Sequence, residues 1–360
     1  MKIGLWSDAV NFPSLPLMKI SAYHKALGDE VKLIDVFTEH FDVAYVSKTF
    51  NLPAIKKIPQ LPCMPNADVI YTGGTGFAIS TESGAEDSVN SGINNGINNG
   101  INNGATNNAT SNKEHYTAAK DLPLPPYIEH IYPDYGLYPA LTRDTAFGFT
   151  TRGCPNRCGF CVVSGKEGIQ SVRVAPLSAF WRGQRYIKLM DANLLACKDR
   201  DEIIRELIES NARIDFTQGL DARFVDEDTA RLLCAVRIKM VHFAFDLMQN
   251  EAAIVRGLAL FRKHFKGTDR DCKVYILTNY NTTHAEDWYR VRRVIELGYQ
   301  PDIRIYRKGT HDRFLTDLSR WANNSRLYRA VDFKDYIPRK DGKNCGDLYH
   351  EIIGREGKTR

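Results

Sequence analysis

The chain has 360 residues, 43% of them hydrophobic and 25% charged, and a net charge of +5. That is enough for one large domain or two ordinary ones with a buried core, and the mild positive excess suits an anionic partner no better than it suits an ordinary enzyme. No apolar run approaches the ~20 residues needed to cross a bilayer, and MKIGLWSDAVNF at the start lacks signal-peptide order, so the expectation is a cytoplasmic protein with no membrane partner.

Strand and helix alternate over residues 1–80. KIGLW from Lys2 reads as a strand, and Leu15 to Leu27 as a helix that Gly28 stops. VKLIDVF from Val31 and VAYVSKTF from Val43 read as two more strands. DVIYTGGTG from Asp68 reads as a fourth that ends in a glycine turn. The alternation predicts a small Rossmann-like domain with a parallel, doubly wound sheet. Gly73, Gly74, Thr75 and Gly76 follow a strand, where glycines permit either close approach to a ligand or a tight turn. His24 and His40 have no distinctive context.

Residues 81–126 break the rhythm. GINN repeats in tandem from Gly92, and Asn, Thr, Ser and Ala then run on to DLPLPP. Such a segment has too little apolar surface to offset the entropy of ordering, which predicts a disordered insertion.

Regularity returns over residues 127–325. AFGFTTRG, YIKLMDAN from Tyr186, RIDFTQGL from Arg213, KMVHFAFD from Lys239, KVYILTNY from Lys273 and DIRIY from Asp302 read as strands. Helices are expected around Ser178 to Gly183, Asp199 to Ser210, Asp226 to Val236 and Glu251 to His264. Two more are expected over HAEDWYRVRRVIELG and from about His311 to Asn323. Six strand–helix units predict an α/β domain, either a partial or full parallel barrel or a doubly wound open sheet. Both place chemistry at the carboxyl ends of the strands. Asp191, Asn193, Gln218, Asp221, Asp246, Asn279 and Asn281 all fall there. Residues 326–360 form a C-terminal extension. RWANNSRLYRAVDFKDYIPRKDGK, which leads into it, mixes aromatic and basic residues that could cover the barrel mouth, touch RNA or form a solvated face.

Eight cysteines in a chain without a secretion signal point to metal before disulfides. Cys63, Cys197, Cys234, Cys272 and Cys345 are scattered, but Cys154, Cys158 and Cys161 form C-x3-C-x2-C in TRGCPNRCGFCVVSGKEG. Three thiolates on one short loop can cap three irons of a 4Fe-4S cubane and leave the fourth open to a small molecule. Gly153, Pro155 and Gly159 suit a tightly curled loop, and Arg152 and Arg157 would offset its negative charge. A zinc knuckle would need a fourth ligand at matching spacing, and none is visible. A redox disulfide uses two thiols and leaves the third unexplained.

CPNRCGFC resembles the signature of the radical SAM superfamily, with Phe160 at its aromatic position. The strand–helix units extend the resemblance from about Phe147 to Asn323. The resemblance implies a partial parallel (β/α)6 barrel, a 4Fe-4S cluster on the three cysteines and S-adenosylmethionine on the open iron. It also implies a one-electron reductant such as flavodoxin or ferredoxin. Reductive cleavage would yield methionine and a deoxyadenosyl radical that takes hydrogen from a substrate, whether small molecule or RNA. Methyl and methylthio transfer stay open.

In that family, backbone beside Phe160 would contact adenine. The segment after the second strand usually reads Gly-Gly-Glu and holds the methionine amino group; here it is MDANLL, which offers Asp191 and Asn193. Gln218, Asp221 and Arg223 would lie near the barrel mouth. Arg223 would either grip the methionine carboxylate or pair with Asp221 or Asp226, and Asp246 could reach ribose. The first domain is similar to cobalamin-binding-type folds, not all of which bind cobalamin. The competing readings are a non-catalytic iron–sulfur protein and a zinc-stapled nucleic-acid-binding protein.

Overall fold

A computed structural model describes residues 1–9, 11–49, 61–80, 115–116, 123–306, 312–338 and 342–356. The chain divides into two compact units. One comprises 1–146 with 158–166, the other 147–157 with 167–360.

The first unit holds a four-stranded parallel sheet of β1 (Lys2–Ser7), β2 (Glu30–Leu33), β3 (His40–Ser47) and β4 (Asn66–Gly73) in the order β2-β1-β3-β4. The strand order reverses at β1, and all four strands are parallel as expected. β1 is buried on both faces, as a central parallel strand must be. Ile3 and Leu5 pack on Leu17, Met18 and Ile20 of the helix Leu15–Ala26, while Trp6 packs on the side of Ile34, Phe41 and Val46. Pro16 opens that helix, and Gly28, at φ +84°, turns the chain out of it. Ile128 and Leu137 join the Ile3 cluster, so residues beyond 126 complete the core of this unit.

The glycine turn after β4 is structural. A Cβ on Gly74 (φ +100°) would lie 2.4 Å from the Lys48 carbonyl oxygen, and the Gly76 N–H donates to that same oxygen at 2.8 Å. β5 (Ile79–Ser80) pairs antiparallel with β6 (His115–Tyr116). The low-complexity repeat expected between them lies outside the described residues.

The second unit is built on a six-stranded parallel sheet of β7 (Thr145–Gly148), β10 (Tyr186–Leu189), β11 (Arg213–Leu220), β12 (Ile238–Ala244), β13 (Cys272–Thr278) and β14 (Gln300–Ile305). Two short strands, β8 (Thr151–Arg152) and β9 (Val172–Arg173), pair antiparallel between β7 and β10. The six strands follow chain order without a reversal. That order removes the doubly wound alternative for this unit, because a doubly wound sheet requires a switch point.

Helices Arg200–Glu209, Glu227–Ala235, Glu251–His264, His284–Glu296 and Arg313–Ala322 follow β10 to β14 in turn. Each presents an apolar stripe such as Ile203, Ile204 and Leu207, or Ile254, Leu258 and Phe261. Sheet residues Ile187, Ile214, Val241, Phe243, Val274 and Ile276 are fully buried. Each side chain of this size contributes about 1.5–3 kcal/mol when removed from water.

The helix expected at Ser178 to Gly183 is instead a single 3-10 turn, Leu177–Ala179. Gly183, at φ +93°, ends any helical run there. Near the C-terminal extension, Trp321 and Phe333 are 4% and 0% exposed and lie tilted against Trp288, while Tyr328 and Tyr336 are half-buried. Trp321 Nε1 also donates to the Val331 carbonyl at 2.8 Å, so these two rings serve the core. Among the described residues, no helix is long and apolar enough to cross a membrane.

Candidate metal centre

β7 delivers the chain to the cysteine motif, and the ends of β10 and β11 supply the side chains around Cys154. Asp191, just past β10, is 5% exposed. Its Oδ1 accepts from the Thr150 N–H at 3.0 Å, the Thr150 hydroxyl at 2.6 Å and the Thr151 hydroxyl at 2.7 Å, and also from the Thr151 N–H. Burial pushes its carboxyl up, against the pull of those donors. Asp191 is therefore engaged in holding the entry to the loop.

The base of the loop is closed three further times. The β8–β9 pair brackets residues 153–171. Glu167 accepts from Arg152 Nη1 at 3.0 Å and from the Gly153 N–H at 3.3 Å. The Cys154 N–H donates to the Gly168 carbonyl at 3.1 Å. Gly153 lies at φ +87°, and a Cβ there would sit 2.1 Å from the Gln170 carbonyl oxygen, so no other residue fits. Arg157 is also left-handed, at φ +44°. Arg152 stacks 3.5 Å above the Phe149 ring and pairs with Glu167 at 3.0 Å.

Asn193 and Asp221 form the inner wall. Asn193 is 2% exposed, and its Nδ2 lies 3.5 Å from Cys154 Sγ and 3.4 Å from Asp221 Oδ2. Its Oδ1 is buried without a hydrogen-bond partner, an arrangement that costs roughly 1–3 kcal/mol. Asp221 takes a two-pronged grip from Arg223, Nε to Oδ1 at 2.8 Å and Nη2 to Oδ2 at 2.6 Å, and a further bond from Asn156 Nδ2 at 2.9 Å. Burial would raise its carboxyl, but the bonds from Arg223 and Asn156 outweigh it and hold the pKa below the usual value. Arg223 thus makes the ion pair with Asp221 that its sequence allowed.

Asp246 is half-buried and accepts from the Leu277 N–H at 2.9 Å, bridging β12 to β13, and burial raises its carboxyl. Gln218 is exposed near the end of β11. Asn279 and Asn281 turn the chain after β13 with φ of 63° and 50°. Cys158, Phe160 and Cys161 belong to the segment 158–166, which groups with the first unit. There the Cys161 N–H donates to the Cys158 carbonyl at 3.0 Å, and Lys166 Nζ donates to Thr75 Oγ1 at 2.9 Å.

Sequence reasoning missed Thr150, Thr151, Asn156 and Glu167. The TTRGCPN run carried a usable signal only in that polar residues crowd a loop that must curl. His24, by contrast, is a satisfied core residue, bonded to Asp29 at 2.7 Å and to the Tyr45 hydroxyl at 3.0 Å. His40 sits on the exposed edge with Asp42 and Asp68, their ligand atoms within 4.8 Å of one another.

All eight cysteines are thiols. Burial pushes Cys234 up to about 11 and Cys272 up to about 12, so neither ionises readily. The motif thiols are half-buried at Cys154 and Cys158 and exposed at Cys161. Three thiols within one octapeptide, Cys154, Cys158 and Cys161, are by chemistry and spacing a donor set that an iron–sulfur cluster can take. A loop turning through two left-handed residues carries the sulfurs, and a buried amide at Cys154 has one polar atom still unsatisfied. No family model matches this chain, and no curated protein matches it.

Proposed function

We propose that this chain is a radical SAM iron–sulfur enzyme, with its second unit a partial (β/α)6 barrel. One observation carries the reading: a C-x3-C-x2-C loop leaves the first strand of a six-stranded parallel sheet that runs in unbroken chain order. A sheet wound in one direction leaves all its carboxyl ends at one rim, where a single site draws on several strands. Cys154, Asn193 and Asp221 come from the ends of three neighbouring strands, which is that pattern.

In this reading Cys154, Cys158 and Cys161 hold a 4Fe-4S cluster. When bound, the cluster supplies the electron that breaks a carbon–sulfur bond of S-adenosylmethionine. The protein's own work is positional. Asp191 fixes Thr150 and Thr151 at the loop entry, Glu167 and the Gly168 carbonyl close its base, and Arg223 neutralises Asp221. Gln218, exposed beside this rim, is available to a substrate.

Anaerobic reconstitution with iron and sulfide tests this. The protein should take up about four irons per chain, and the electron paramagnetic resonance signal of the reduced form should change when S-adenosylmethionine is added. Tight zinc binding with no iron uptake, or a signal indifferent to S-adenosylmethionine, would contradict the reading.

A further inference from the structure

We propose that Asn193 sets the reduction potential of the metal group at Cys154 by donating its amide N–H to the cysteine sulfur. This rests on the iron–sulfur reading above.

The orientation of the amide is fixed from both sides. Nδ2 faces two acceptors, Cys154 Sγ at 3.5 Å and Asp221 Oδ2 at 3.4 Å. Turned over, the side chain would set its carbonyl oxygen against the carboxylate. The backbone of Asn193 is held as well, since its carbonyl accepts from the Ser171 hydroxyl at 2.8 Å. Asp221 cannot swing away, because the Arg223 fork and Asn156 hold it. The amide is therefore locked on the sulfur, in a place where Asn193 is 2% exposed.

A metal-bound thiolate has no proton of its own, so it can only accept from this N–H. The bond draws electron density from the sulfur and stabilises the more negative, reduced cluster, which raises its potential. A small apolar residue at 193 would fill less space and offer no donor. A leucine would fill the space with a branched side chain and likewise offer no donor.

Reconstituted full-length wild type, N193A and N193L are compared by redox titration, with iron content and circular dichroism measured on each. The inference expects both variants to keep the wild-type iron content and fold, with midpoint potentials below wild type. Midpoints equal to wild type in both overturn it. So does loss of iron from both variants while wild type retains it, because the residue would then act in metal retention. If wild type itself takes up no iron, the iron–sulfur reading fails first and this inference with it.

Discussion

The Asp191 carboxylate accepts the Thr151 hydroxyl at 2.7 Å and the Thr151 N–H beside it, so the end of one strand is tied to the entry of the cysteine loop. Thr150 and Thr151 are both fully buried, and their N–H groups turn to this carboxylate. Asp191→Ala would remove the acceptor of four buried donors, the N–H and hydroxyl groups of Thr150 and Thr151. The expected cost is about 3 kcal/mol in chemical denaturation, with weaker iron retention after reconstitution. A loss below about 0.5 kcal/mol would show that the loop is held in some other way.

Arg290 plays the same part deeper in the sheet. It is 0% exposed and donates to the carbonyls of Phe245, Asp246 and Leu277 at 2.7, 2.9 and 2.8 Å, and it pairs with Asp287. Arg290→Met leaves Asp287 buried and three carbonyls unserved at the ends of β12 and β13. A stability loss of about 3–5 kcal/mol is expected, read as a lowered midpoint of unfolding. Wild-type stability in this variant would contradict that role.

Asp221 gives a pH dependence with a definite sign. Its carboxyl is held below the ordinary value, so the folded state binds this proton less readily than the unfolded chain. Its contribution is complete above roughly pH 4–5 and fades as the pH falls through the lower, folded value. The stability difference between wild type and D221N should therefore shrink in acid. A difference that stays constant from pH 6 down to about pH 3 would refute the Arg223 clamp.

Most of the sheet was legible from apolar runs alone. Ile187, Leu189, Ile214, Phe216, Val274 and Ile276 alternate with the strand period and are buried. Helix boundaries fell within a residue or two where Asp226 or Thr283 caps the first turn. The site was only half legible. The spacing of Cys154, Cys158 and Cys161 is local and shows in the sequence; whether Asp191 or Arg223 meets a ligand or a neighbour depends on partners 41 and 2 residues away. Burial of Trp321 and Phe333 was hidden for the same reason, because Trp288 approaches them only through packing.

Deletion of residues 92–104 concerns a segment whose composition gives it no apolar core. Its flanks meet where Ile79 pairs with Tyr116. Shortening the connection should change stability by no more than about 0.4 kcal/mol, the closure entropy recovered. A large fall in melting temperature would show that the repeat is packed.

The most direct measurement is product release. Reduced, reconstituted protein is mixed with S-adenosylmethionine under argon, and deoxyadenosine and methionine are quantified for wild type and Cys158→Ala. Both products should form with wild type and be absent with the variant. Wild type that carries its irons and yields no deoxyadenosine would contradict the assignment.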